Sequence, residues 1–380
     1  MEILWIMSDL SIRLTALEQA QTQLPVRHYL DPGVFADERT RLFQPGPRYV
    51  GHELWIPERG DFHTLPQEAE GRVLVRGEQG PQLVSNVCRH RQALMLNGRG
   101  NTRQHIVCPI HRWTYDLQGE LVGAPHFATD PCLNLKNQTL RNRHGLLFED
   151  TGRDIAEALA AAGAPSSDGQ TGLDFSGHVL DRVEMHVCDY NWKTFIEVYL
   201  EDYHVAPFHP GLGGFVSCDD LQWSFAEHHS VQRVGIQRAL DRPGSPTYRL
   251  WHEALLKYRN GEVPAFGAVW LTCYPHIMVE WYPHVLVVST LHPQGPQKTL
   301  NMVEFYYPEE IAAFEREFVE AQQAAYMETC AEDDEIALRM DAGRKALAQR
   351  GDDEFGPYQS PMEDGMQHFH EWYGREMGVR

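Results

Sequence analysis

The sequence predicts an α+β protein in which a small β-rich domain precedes a larger one that combines an antiparallel sheet with helices. Three observations carry this. Over about 48–148, short apolar runs such as Val73-Leu74-Val75 and Leu83-Val84 alternate with Gly, Asn and Pro clusters, the texture of hairpins. After an Ala-rich stretch and the linker-like segment APSSDGQTGLDFSG at 164–177, strand and helix patterns follow one another without regular alternation. The 380 residues suffice for two cores at about 150 residues per domain.

The elements follow in order. Ser and Asp start signals with apolar residues at helical spacing predict a helix over 8–24, and 1–40 reads as a helical segment packing on the larger domain. The β-rich domain is expected over 41–160 and the larger one over 161–380. Within the latter, a helix is expected near 191–203, strands at 270–271, 277–280 and 285–290, and helices near 309–325 and 333–348.

Composition narrows the function. Lys plus Arg is 33 against 53 Asp plus Glu, a net charge of −20, which argues against nucleic-acid or anionic-membrane partners. Seven cysteines are odd in number and scattered, so a reducing compartment is expected rather than a disulfide scaffold. No apolar run approaches the ~20 residues of a transmembrane helix. The apolar start at 1–7 carries an acid where a signal peptide would carry a base, so a cytoplasmic protein is expected.

Two constellations carry chemistry. In the β-rich part, Cys88 and His90 are one residue apart, Cys108 and His111 two apart, and seventeen residues separate the pairs. Two rigid loop tips of this kind bring soft and borderline ligands together for zinc or an iron–sulfur cluster. Zinc knuckles usually pair like with like. One Cys and one His from each loop instead suit a two-iron cluster with thiolates on one iron and imidazoles on the other.

The second constellation is His204-x₄-His209. With 20 His in 380 residues about one such pair arises by chance. On a regular helix the two rings would also point about 140° apart. Pro207 is expected to disrupt the helix and let His209 swing toward His204, with Pro210 blocking its continuation. Two imidazoles and one carboxylate on one face form a ferrous site with open positions for dioxygen and substrate. The carboxylate must come from another element.

Cys88-Arg89-His90-Arg91, Gly100-Asn101, Cys108-Pro109-Ile110-His111, Trp113, Tyr115, Gly119 and Pro125 together resemble a Rieske cluster domain. More narrowly, they resemble the domain of the large subunit of Rieske non-haem iron oxygenases, with Gln92 and Arg112 where those proteins usually carry Gly. The resemblance runs from about Arg48 to Trp372, through Asn191-Trp192-Lys193 and the tail Ser360-Pro361, Glu363, Gly365 and His368-Phe369-His370. It implies a Rieske [2Fe-2S] domain ahead of a catalytic domain built around a mononuclear Fe(II) site. Cys88 and Cys108 would hold one cluster iron, and His90 and His111 the exposed one. His204 and His209 would hold the mononuclear iron. The third ligand would be Asp333, by alignment of Ile336 and Gly343, with Asp334 as the alternative. Glu201 would link this site to the Rieske histidine of a neighbouring subunit.

The implied activity is that of a terminal oxygenase taking electrons from a separate reductase or ferredoxin, by ring hydroxylation, as in aromatic hydrocarbon catabolism, or by oxidative demethylation. The implied assembly is a head-to-tail homotrimer. An electron-transfer module and a zinc-binding protein without oxygenase activity are the alternatives. Trp270, Tyr274, Trp281 and Tyr282 are candidates to line the substrate pocket, against core packing as the default for strand aromatics. Cys132, Cys188, Cys218, Cys273 and Cys330 read as small buried apolar residues.

Overall fold

A computed structural model of the protein describes residues 23–163 and 173–379. The helix predicted over 8–24 falls almost wholly outside them, as does most of the 164–177 linker. The first half is built of three antiparallel sheets. The largest has the spatial order Arg99–Asn101, Asp61–Thr64, Arg72–Gly77, Gly80–Ser85, Asn137–Gln138. Beside it lie His105–Val107, Thr114–Asp116 and Leu121–Gly123, and a third sheet of Tyr49–His52, Leu146–Glu149 and Leu140–Arg143. β-branched Val73, Val75 and Val84 join Ile106, Trp113 and Tyr115 in a core that closes around Cys88 and Cys108.

The second half is organised by a seven-stranded antiparallel sheet. Its strands run in the order His178–Cys188, Lys298–Pro308, Val285–Gly295, Ile277–Tyr282, Ala268–Cys273, His229–Ile236, Val216–Ala226. All but the first form one meander. Period-2 alternation divides the faces. On Lys298–Pro308, Met302 and Tyr306 enter the core shared with Tyr49, Trp55 and Leu146 of the first half. Val303, Phe305 and Tyr307 enter a second core with Phe318 and Val319. Each large apolar side chain so buried contributes about 1.5–3 kcal/mol, and the sheet is covered on both faces.

The two helices predicted at 309–325 and 333–348 are instead a short helix, Glu309–Phe314, and one 35-residue helix, Arg316–Arg350. Between 325 and 333 there is no Gly or Pro, and Ala, Met and Glu favour continuation through the acidic run. Gly351, at φ 74°, ends it in the left-handed conformation. The N-terminal helices Arg27–Leu30 and Pro32–Glu38 pack on this half. There the buried Glu38 carboxylate takes Trp192 Nε1 at 2.9 Å and Lys193 Nζ at 2.6 Å.

Candidate active site

In the first half, a strand-to-loop passage and a hairpin tip present the four predicted cluster ligands. Cys88 and Cys108 are each 2% exposed, while His111 is exposed and His90 half-buried. The His90 and His111 Nδ1 atoms stand 3.2 Å apart, and the His90 ring stacks on Trp113. The Tyr115 hydroxyl lies 3.7 Å from Cys88 Sγ and accepts the Arg89 N–H at 3.1 Å. Thiols inside and imidazoles outside suit an inner and an outer iron. Among the described residues, no three of these four bring their ligand atoms within 4.8 Å of one another, as the ligands of a single zinc ion would.

Each loop closes through a backbone bond, Gln92 N–H to Cys88 O at 3.0 Å and Arg112 N–H to Cys108 O at 3.1 Å. Gln92 and Arg112 have φ of 56° and 63°, the region that favours glycine. This is why glycine suits both positions. Here larger residues keep the same turn at about 1 kcal/mol of strain each.

In the second half, the helix predicted near 191–203 is Trp192–Tyr199, capped by the Asn191 side chain. It stops before Glu201, and His204 instead caps a single turn, Val205–Phe208. The predicted break at Pro207 is therefore not what brings the histidines together. Pro207 sits in the first turn, where its missing N–H is no loss. Pro210 opens the next helix, Pro210–Phe215, and forces the residue before it out of helical conformation, so His209 has φ −107° and ψ 82°.

That turn brings His204 Nε2 to 2.9 Å from His209 Nε2. Asp333 Oδ1, from the long helix, lies 2.9 Å from His209 Nε2 and 3.5 Å from His204 Nε2. Three cis ligands with bonds of about 2.1 Å are about 3 Å apart, so the spacing fits one ion held on one face. The far nitrogens are held as metal-ligating histidines require: His204 Nδ1 by Glu201 Oε1 at 2.5 Å, and His209 Nδ1 by Glu332 Oε2 at 2.7 Å. Burial disfavours charge on His204, but Asp333 and Glu201 outweigh it and lift the ring to about 9. Asp334, one residue on, points elsewhere, to His186 Nε2 at 2.8 Å and the Tyr190 hydroxyl at 2.7 Å. His186, Cys188 and Asp334 form a separate group of possible ligands.

A cavity reaches His204, His209 and Asp333. Of the four aromatics predicted as lining, Trp270 and Tyr282 face it. Tyr274, just past the strand Ala268–Cys273, packs with the C-terminal helix, while alternation along Ile277–Tyr282 turns Trp281 against the opposite core. Sequence reasoning missed Glu280, Glu332 and Tyr326. The available signal for Glu280 is a lone acid inside the apolar strand Ile277–Tyr282. Of the remaining cysteines, Cys188 and Cys273 are buried as expected, whereas Cys132 is exposed.

Residues 169–378 match the family described as the ring hydroxylating alpha subunit (catalytic domain), and residues 49–138 match the Rieske [2Fe-2S] domain. The chain belongs to the Rieske non-haem iron oxygenases. This Rieske oxygenase is 67% identical to a putrescine 2-hydroxylase of Ralstonia nicotianae, over 98% of this chain and 100% of the relative. It is 59% identical to a putrescine 2-hydroxylase of Bordetella bronchiseptica, over 98% and 88%. In fold it is similar to a quaternary ammonium Rieske monooxygenase bound to L-carnitine, with a TM-score of 0.73 at 19% identity, covering 94% of this chain and 96% of that one.

The Rieske oxygenase is thus a terminal oxygenase component that carries a Rieske [2Fe-2S] cluster and a mononuclear iron. It uses an external electron donor and dioxygen to insert oxygen into an organic substrate. Among the described residues, no helix is long and apolar enough to cross a membrane.

Proposed function

We propose that this oxygenase hydroxylates putrescine, or a closely related aliphatic diamine, at the carbon next to an aminomethyl group, rather than an aromatic hydrocarbon. The observation that carries this is end-to-end identity of 67% with a relative named for that reaction. One oxygen atom enters the C–H bond and the other leaves as water, with two electrons from the donor and two protons. The mononuclear iron supplies the activation of dioxygen. The chain's residues supply ligand geometry, a largely aromatic and apolar substrate cavity, and a path for electrons.

In this reading Cys88 and Cys108 hold the inner cluster iron and His90 and His111 the outer one. His204, His209 and Asp333 hold the mononuclear iron, and Glu201 orients His204 and links it toward a cluster in a neighbouring subunit. A separate reductase or ferredoxin is the donor, the protein is cytoplasmic, and 41–160 and 161–380 divide it into its two domains. A head-to-tail homotrimer is favoured by apolar residues beside the outer imidazoles, Ile110 at 59% and Phe127 at 50% exposure, which suit a docking face. The electron-carrier reading is disfavoured by the ligand-like spacing at His204, His209 and Asp333, and the zinc reading by the match of residues 49–138 to the Rieske [2Fe-2S] domain.

Oxygen uptake by the iron-loaded protein, driven by a surrogate reductase, tests the substrate. Putrescine is expected to stimulate uptake and to appear as a singly hydroxylated diamine by mass spectrometry. Stimulation by an aromatic hydrocarbon and none by putrescine would overturn the reading.

A further inference from the structure

Among the described residues, the cavity beside His204, His209 and Asp333 has no Lys or Arg in its wall, and most of its lining is aromatic or apolar. Four carboxyl groups do reach it: Glu201, Asp202, Glu280 and Asp333. Three already have nitrogen partners. Glu201 holds His204, Asp333 faces both histidines, and Asp202 accepts the Gln232 Nε2–H at 2.6 Å. Glu280 is the acid bonded to hydroxyls instead.

Glu280 is 0% exposed on the strand Ile277–Tyr282, directly opposite Trp270. Its Oε2 accepts the Tyr282 hydroxyl at 2.8 Å and its Oε1 the Tyr326 hydroxyl at 3.0 Å. The Tyr199 hydroxyl is fully buried against the same carboxyl, a third hydroxyl beside it. A buried carboxylate bonded to neutral hydroxyls and not to a cation is unfavourable until a cation completes it.

Glu304, two strands away, provides the comparison. It too is buried, and it accepts from the Tyr49 hydroxyl at 2.9 Å and from Trp55 Nε1 at 2.9 Å, with Tyr306 as a third donor. Yet Glu304 lies where the two halves of the protein meet and does not line this cavity. Tyrosine-bound buried acids are therefore a structural device here. Glu280 differs in facing the substrate space.

We propose that Glu280, with Tyr199, Tyr282 and Tyr326, is the anchor for a primary ammonium group of the substrate. This rests on the diamine reading and names the group that makes it selective. A primary ammonium donates three hydrogen bonds, which the Glu280 carboxylate and the Tyr199 hydroxyl accept, while the aromatic walls add cation–π attraction. A quaternary ammonium has no N–H to give, so it would donate to neither group. Burial pushes the Glu280 carboxyl up to about 7, with the tyrosine hydroxyls pulling the other way, and a bound cation would hold it ionised.

The test is calorimetric binding of putrescine, and of its hexamethylated bis-quaternary analogue, to protein with both metal centres filled. Wild type should prefer putrescine. Glu280→Gln, with unchanged cluster spectrum and iron content, should weaken putrescine binding about 30-fold or more and largely abolish the preference. Tyr199→Phe should weaken it about threefold, and it decides the matter if Glu280→Gln does not fold. Wild-type turnover of putrescine with unchanged affinity in the folded variants overturns the anchor alone. Wild-type protein that neither binds nor oxidises putrescine overturns the diamine reading and the anchor with it.

Discussion

Glu201 grips His204 at two points: its Oε1 lies 2.5 Å from His204 Nδ1, and its Oε2 accepts the His204 backbone N–H at 3.0 Å. The carboxylate thereby sets the ring's tautomer and turns Nε2 toward His209 and Asp333.

Glu201→Gln keeps the shape and removes the charge. Both iron centres should remain filled, while reoxidation of the reduced cluster with substrate and dioxygen present slows by about tenfold to a hundredfold. Rapid-mixing spectroscopy reads this directly, and normal reoxidation would remove Glu201 from the electron path.

Asp333 and Asp334 should separate cleanly. Asp333→Asn is expected to lose the mononuclear iron and retain the cluster. Asp334→Asn should keep both, because its oxygens face His186 and Tyr190. Iron analysis beside the cluster's visible spectrum distinguishes the two, and iron loss in the Asp334 variant alone would reverse the ligand assignment.

Glu304 should impose a pH dependence on stability. Burial pushes its carboxyl from 4.5 to about 7, against the Tyr306, Tyr49 and Trp55 donors. Between these values the folded protein holds a proton that the unfolded chain has lost, so stability falls as pH rises through this window. The effect amounts to at most about 3 kcal/mol. Glu304→Gln should flatten the fall in Tm from pH 4.5 to 7, and an unchanged slope would refute the assignment.

Arg344 neutralises a fully buried acid. Burial alone would raise the Glu197 carboxyl, yet Arg344, at 2.5 Å, and His370 hold it at about 2. Arg344→Met leaves that charge without its main partner and should destabilise the fold by about 3 kcal/mol or more. Chemical denaturation measures it. Arg344→Lys should recover part of the loss.

Much of the metal chemistry was legible because it is local. Cys88 with His90, Cys108 with His111, and His204 with His209 each lie on one short loop or turn, so residue type and spacing already limit what they can bind. The mechanism of the turn was not legible. Helical periodicity alone points to Pro207, whereas the steric demand of Pro210 on His209 shapes the backbone. The single helix Arg316–Arg350 was read as two because its acidic middle resembles a helix start until His186, His204 and His209 are placed against it.

By itself the sequence determined the two-part α+β organisation, the paired cluster loops and the histidine pair, since periodicity and short-range spacing are properties of neighbouring residues. The sequence favoured Asp333 over Asp334, and only the tertiary structure shows the first beside His204 and His209 and the second facing His186 and Tyr190, the two differing by about 100° around one helix. The tertiary structure alone also turned Trp270, Glu280 and Tyr282 into the cavity while sending Trp281 to the other core. Those outcomes depend on which face of a helix or strand meets which distant element, and that is settled by packing across the sheet rather than along the chain.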